Sequence, residues 1–338
     1  MRSLQIKLVN PESDGRINFQ SLANELYPEK LWPLKRAEET ELTHFYQAYL
    51  VIDGEDQIVS RAILYDNPSL MHENGKAMPV GCFESKDDSE AVKMLFGRIA
   101  HDARLCSADW LVGPMNGSTW QTHRFHMKNP EQLFFGEMIH QDYYPRLFEE
   151  VSFQEVATYH TNVDRKLKFD KQALEKQRKK YQESGIVLRS LNKVDLKSDL
   201  SKVGQLSLEA FACNFLYTPL ELQAFISKYS EIMNHVDPKY IWLAEDSLGE
   251  LQAFSFAYPD YWNQDPKTFV FKSFARKPGK SYAGIGNFLA GLSKLDAIND
   301  GFDQMLHAFI YQANSSDHIS QGYDGALYHE YKLYGLRI

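Results

Sequence analysis

The chain has three cysteines, Cys82, Cys106 and Cys213, and none stands in a CxxC pair. That argues against a disulfide framework or a cysteine-based structural zinc site. Three reduced thiols fit a cytoplasmic protein. No apolar run nears the ~18–20 residues of a membrane span, and the opening MRSLQIKLVNPESDG lacks the apolar stretch of a signal peptide. Positive charge is also short: 37 Lys and Arg against 45 Asp and Glu give a net charge of -8. General binding to nucleic acid or to anionic lipid is therefore not expected. His123, His126 and His140 lack a metal-ligand spacing, so no metal is expected.

What remains is ordinary globular material. The 338 residues are 43% hydrophobic and 24% charged, enough for about two domains at ~150 residues each. In the first half, 44–53 and 58–67 predict a hairpin around the turn 54–57. A strand follows over 77–85, broken at Gly81. Asp87, Asp88 and Ser89 offer N-cap chemistry to a helix over 89–105, whose apolar face is Val92, Leu95, Phe96, Ile99 and Ala103. A short strand over 109–116, a short helix over 142–153 and a strand over 156–164 complete the half. The charged stretch 164–185 predicts a solvated linker helix stopped by Gly185.

The second half repeats the order. A strand is expected over 185–192, then helices over 195–214 and 218–234, with Pro219 in a first turn after Thr218. A hairpin spans 239–246 and 251–262. A strand over 268–277, a helix over 285–300 closed by Gly301, and strands over 304–311 and 326–334 follow. The recurrence predicts a duplicated α/β unit of roughly 150–170 residues.

The most informative stretch is 271–295, where a strand runs through a glycine-rich turn into an amphipathic helix. Gly284 and Gly286 let backbone approach a ligand closely. The free N–H groups of a helix start favour an anion, and Lys277 and Lys280 add charge beside them. A pyrophosphate is the natural ligand. The turn is not a dinucleotide fingerprint, because Leu289 stands where the third glycine belongs. Nor is it a P-loop, since no glycine stands five residues before Gly279. A tight turn with close helix packing is the alternative.

Pro278, Ser281, Gly284 and Gly286 resemble the P-x-x-[RQ]-x-x-G-x-[GA] motif of the GNAT N-acyltransferase superfamily. The resemblance covers roughly 185–338, and its ending GYDGALYHEYKLYG looks like the superfamily's closing strand. The motif's Arg or Gln is Ser281 here, with Lys280 beside it to supply charge. The resemblance implies an acyl-CoA site formed by Lys280, Ser281, Tyr282, Ala283, Gly284, Ile285 and Gly286. It also implies backbone contacts from Phe274, Ala275 and Arg276 to the pantetheine amide if the strand splays, and Asn314 near the pantetheine arm. It implies Tyr323 as the acid that reprotonates the thiolate, with His318 as the other acid or base. Glu245 and Asp260 are candidates to hold or deprotonate the amine. The first half resembles a GNAT unit too. Its segments GCFESKDDSEA, VGPMNGSTW and QDYYPRLFEEVSF are similar to bacterial tandem-GNAT proteins, but Glu84, Asp87 and Asp88 stand where phosphates would lie and would repel CoA.

The expectation is thus two tandem GNAT-like α/β folds, each a mixed central sheet flanked by helices. Residues 1–165 would form a unit without a CoA site, 166–184 a linker helix, and 185–338 the unit with the CoA-binding loop. The implied function is transfer of an acyl group from acetyl-CoA or another acyl-CoA to a small-molecule or peptide amine. A non-catalytic CoA- or ligand-binding protein and a purely structural pseudo-enzyme are the alternatives. Trp120, Phe134, Phe135, Tyr143 and Tyr144 are either core or a wall of an acceptor pocket between the halves.

Overall fold

The computed structural model describes residues 3–10, 15–38, 42–127, 133–279, 282–312 and 325–338. The first half begins with β1 (Gln5–Val9), α1 (Gly15–Leu26) and α2 (Trp32–Glu38), followed by the hairpin β2 (Phe45–Ile52) and β3 (Ile58–Tyr65). β4 (Met71–His72) turns into β5 (Gly75–Ser85), and α3 (Ser89–Leu105), β6 (Trp110–Gly113), β7 (Phe125–His126), α4 (Tyr144–Glu150) and β8 (Gln154–Asp164) complete it. The second half runs α5 (Lys171–Glu183), β9 (Val187–Ser190), α6 (Leu196–Ala210), α7 (Leu222–Ile232), β10 (Ile241–Glu245) and β11 (Leu251–Gln264). It ends with β12 (Lys267–Arg276), α8 (Ile285–Asn299), β13 (Gln304–Tyr311) and β14 (Ala326–Arg337). Among the described residues no helix is long and apolar enough to cross a membrane.

The strands form one sheet ordered β1-β2-β3-β5-β6-β14-β8-β13-β12-β11-β10-β9, with β4 beside β5 and β7 beside β14. Each half holds one parallel pair at the matching place, β5 with β6 and β12 with β13. The halves exchange their final strands. β8 closes the first half in sequence but pairs with β13, and β14 closes the chain but pairs with β6. The two exchanged strands pair with each other, antiparallel, from Ala326↔Val163 to Gly335↔Gln154. The boundaries expected at 165 and 185 therefore divide the chain but not the sheet.

Local chemistry explains the elements that position the site. Asp88 caps α3 by accepting from Ala91 N–H at 3.0 Å, and the expected apolar face of α3 is buried in the first-half core with Tyr49, Leu64 and Phe148. One expectation needs an addition and one a correction. The charged helix α5 is solvated along most of its length, as expected, but it is also docked: Leu174 and Tyr181 are buried against Phe288 and Leu289 of α8, and Tyr181 Oη donates to the Ala283 carbonyl at 3.1 Å. Pro219 is not in a first turn, because α7 starts at Leu222 with Glu221 as N-cap. Thr218 instead ties the halves together, its carbonyl accepting from the Trp120 indole at 2.9 Å and its hydroxyl from Asn67 at 3.3 Å.

Asp296, in the last turn of α8, accepts the Trp242 indole N–H at 2.7 Å. Burial pushes its carboxyl up to about 6, against the pull of that hydrogen bond. Between 3.8 and about 6 the folded chain therefore keeps a proton that the unfolded chain releases, so stability from this group falls as pH rises through that window. Asp296→Asn is expected to raise the Tm at pH 7.5, with little of that gain left at pH 4. Thermal melts at the two pH values check this; an equal shift at both would contradict it.

Candidate functional site

The parallel pairing of β12 with β13 runs from Thr268↔Gln304 to Phe271↔His307 and stops there. Both strands are irregular at this level. β12 carries one extra residue against β11, Lys272, between the pairs Ala257↔Phe271 and Phe256↔Ser273. β13 carries one extra against β8 between His307 and Ile310. Such bulges bend a strand and re-aim its side chains, and here the two strands part. The gap opens into a cavity of about 480 Å³ walled by 271–274 and 307–311. The first half contributes 119–124, and the segment around α6 and α7 contributes Phe211, Tyr217, Lys228 and Tyr229.

Past Phe271, β12 keeps β11 on one side only, so one backbone edge of 272–276 faces the gap. This is the splay on which the expected contacts of Phe274, Ala275 and Arg276 depend. The Ala275 side chain itself is core. Arg276 is exposed and donates to the carbonyls of Lys277, at 3.1 Å, and Gly279, at 2.6 Å, bracing the turn. Lys277 pairs with Glu250 at 2.8 Å on the surface, a contact worth under ~1 kcal/mol and readily given up.

α8 begins at Ile285 with Gly284 as N-cap at φ 88°, and among the described residues no side chain caps it. Tyr282 is half-buried and Ala283 and Gly284 are exposed. Ile285 is buried, its N–H bonded to the Tyr282 carbonyl at 3.1 Å. Gly286 has a packing role besides the one expected of it: a Cβ there would lie 2.7 Å from the Phe274 ring. Lys280, Ser281, Asn314, His318 and Tyr323 lie outside the described residues.

The corresponding place in the first half is closed. Parallel pairing of β5 with β6 ends at Pro79↔Val112, but Met115 N–H then bonds the Val80 carbonyl at 2.8 Å. The Asn116 side chain accepts from Cys82 N–H at 2.9 Å. A Cβ at Gly81 would collide with that Asn116 oxygen, so Gly81 permits the closure. The start of α3 is occupied by the chain's own carboxylate, Asp88. Asp87 pairs with Arg146. Glu84 is buried, accepting from Tyr27 Oη at 2.8 Å and Tyr144 Oη at 2.6 Å and pairing with Lys35 at 2.6 Å.

The two carboxylates expected to serve the amine do not line the cavity. Glu245 is held by Arg189 at 2.8 Å and Lys202 at 2.6 Å, and the Arg189 hydrogen bonds hold its carboxyl below the usual range against the upward push of burial. Asp260 accepts from the N–H groups of Phe135 and Trp262 and from the Asn263 amide. Both are consumed in bonds that fix the scaffold.

The titratable groups that do line the cavity are cations, histidines and tyrosines. His123 Nδ1 lies 2.8 Å from the Gln121 carbonyl. A carbonyl only accepts, so Nδ1 carries the proton and Nε2 is left as an acceptor. Burial and the nearby Arg124 keep the ring neutral, well below its ordinary range. His307, at the apex of the gap, is pushed down to about 4, mainly by burial. Arg124, Lys228 and Lys272 were not singled out from the sequence. The signal for Arg124 is the run QTHRFHM at 121–127 and that for Lys272 a lone lysine inside the apolar strand TFVFKSF at 268–274, while Lys228 has none.

Of the five aromatics, Trp120 lines the cavity and packs edge-on to Phe225. Phe134 stacks on Phe309, and Phe135 meets Tyr258 and Trp262 edge-on. Tyr143 and Tyr144 belong to the first-half core. His126 and His140 stack at 3.7 Å, the His126 N–H bonding His140 Nε2 at 3.0 Å.

No family model and no curated protein matches the chain. Solved structures do. A fungal multi-domain GH3 β-N-acetylglucosaminidase with a GCN5-related glucosamine N-acetyltransferase region matches with a TM-score of 0.60 at 11% identity, over 99% of this chain and 38% of that one. The present chain thus spans little more than a third of it. A tandem GNAT protein from the clavulanic acid biosynthesis pathway matches with a TM-score of 0.55 at 10% identity, over 99% and 98% of the two chains. A GCN5-related N-acetyltransferase from Sphaerobacter thermophilus matches with 0.55 at 12%, over 99% and 95%. These likenesses concern the fold: the chain has the GNAT fold twice, in tandem.

Proposed function

We propose that the protein is an acyl-CoA-dependent N-acyltransferase with one working site, in the gap between β12 and β13. One contrast carries this. The second half has an open gap beside an uncapped helix start, and the first half has the same two features closed and self-capped. A fold alone does not fix an activity. Acetyl-CoA or another acyl-CoA would lay its pyrophosphate at Gly284 and Ile285 and its pantetheine arm along the free edge of β12. The acceptor amine would enter from the side walled by 119–124 and α7. Its nitrogen bonds the acyl carbon as the carbon–sulfur bond breaks, and the thiolate takes a proton. His123 and His307, both neutral, can accept the proton that the amine loses, and Tyr323 remains the proposed acid.

A non-catalytic acyl-CoA-binding protein is the second reading, favoured by the diversion of Glu245 and Asp260 into scaffold bonds. Thiol release from acetyl-CoA against a panel of amines separates the two. Catalysis predicts release that depends on the amine added. Binding without amine-dependent release would leave the second reading.

A further inference from the structure

We infer that the cavity between β12 and β13 receives a carboxylate borne by the acceptor amine, held among Arg124, Lys228 and Lys272. The inference rests on the proposed acyl transfer for what the ligand does there, though not for the charge of the pocket.

Among the described residues the cavity lining holds those three cations and no aspartate or glutamate, in a chain of net charge -8. Among the described residues neither Arg124 nor Lys272 has a carboxylate at ion-pair distance. The carboxylate with a resolved influence on Arg124 is Glu137. It is committed to Tyr331 Oη, to His329 Nδ1 at 2.7 Å and to the Phe134 N–H at 2.9 Å. Like charges gathered in one pocket repel. Lys272 registers this: burial, then Lys228 and Arg124, push its ammonium down to about 8.

The cations are also positioned. Arg124 sits at φ 73°, a left-handed backbone that costs a non-glycine residue of order 1 kcal/mol and clusters at ligand sites. Its guanidinium lies over the Phe309 ring at 4.2 Å and the Tyr159 ring at 4.6 Å, which leaves the N–H edge of the planar group for hydrogen bonds. Lys228 Nζ is braced by the Trp120 carbonyl at 2.6 Å and by Gln121 Oε1. Lys272 is the bulge residue of β12. The volume suits a small molecule. Residues 277–279, 282–284 and the start of α8 are not among those lining this cavity, so its charge is separate from Gly284 and Ile285, where the pyrophosphate is proposed.

The same carboxylate could instead arrive on the acyl group, and the test separates the two sources. Intact protein saturated with CoA is titrated calorimetrically with N-acetyl-L-tyrosine and with its uncharged amide, and the pair is repeated on Arg124→Gln and Lys272→Met, with melts to verify folding. The expected result is a preference of about tenfold or more for the carboxylate, reduced severalfold in each variant. Equal affinity for the two probes, or a preference untouched by both substitutions, would overturn the inference. A second arm compares succinyl-CoA with butyryl-CoA. A comparable preference for succinyl-CoA that falls in the variants would move the carboxylate from acceptor to donor and overturn the assignment to the acceptor. The proposed acyl transfer stands or falls separately, on whether acetyl-CoA binds and is turned over. The two acetyl-tyrosine probes give their answer on apo protein as well.

Discussion

Gly284→Asp is expected to weaken acetyl-CoA binding by about ten- to a hundredfold, the worth of one charge-assisted phosphate contact, while the protein stays folded. Gly284 is the N-cap of α8 in a left-handed conformation, which aspartate tolerates better than most residues. A Cβ there would meet Tyr181 Oη at 3.4 Å, at the near edge of ordinary contact. The backbone strain of order 1 kcal/mol is small beside a total stability of ~5–15 kcal/mol. The fold is therefore expected to survive, but a carboxylate now stands at the anion site and repels the pyrophosphate. Calorimetry on wild type and variant gives the affinity ratio and a melt checks folding. Unchanged affinity in a folded variant would remove the phosphate site from α8. Gly286→Val reports something else. It forces a side chain into the Phe274 ring and is expected to lower stability by ~1–3 kcal/mol.

Stopping the chain at residue 325 is expected to abolish cooperative folding of the whole protein, not only of its second half. β14 runs between β6 and β8, and Tyr331, Leu333 and Tyr334 on it are buried. Each such side chain contributes ~1.5–3 kcal/mol on burial, and the cut leaves β6 and β8 with an unpaired edge each. Against a total stability of ~5–15 kcal/mol the loss is decisive. A fragment of residues 1–165 should fail for the same reason, because its β6 lacks β14 and its β8 lacks both neighbours. Circular dichroism melts of the truncated chain and of the fragment check this. A sharp transition in either would mean that the halves do not depend on the exchange.

Most strands and helices were legible because their periodicity is strong. The face of α3 and the hairpins β2–β3 and β10–β11 follow from alternation and capping alone. β1 was missed because it is an edge strand with little burial, and β4 and β7 because two residues carry no period. The exchange of β8 and β14 was illegible for a different reason: pairing partners are set in space, and a strand's own pattern does not say which half it completes. The glycine turn was read from its spacing, but the packing of Gly286 against Phe274, twelve residues earlier, is formed only in the fold. Glu245 and Asp260 looked available because their partners, Arg189 and Lys202 for the first and Phe135 for the second, are distant in sequence. Arg124, Lys228 and Lys272 come from three separate segments, and only the fold brings them to one cavity.

A crystal structure of the intact chain with acetyl-CoA tests the central claim most directly. The expected result is one molecule per chain, its pyrophosphate at Gly284 and Ile285 and its pantetheine arm between β12 and β13. Acetyl-CoA bound at the start of α3 beside Asp88, or bound away from both parallel pairs, would contradict it.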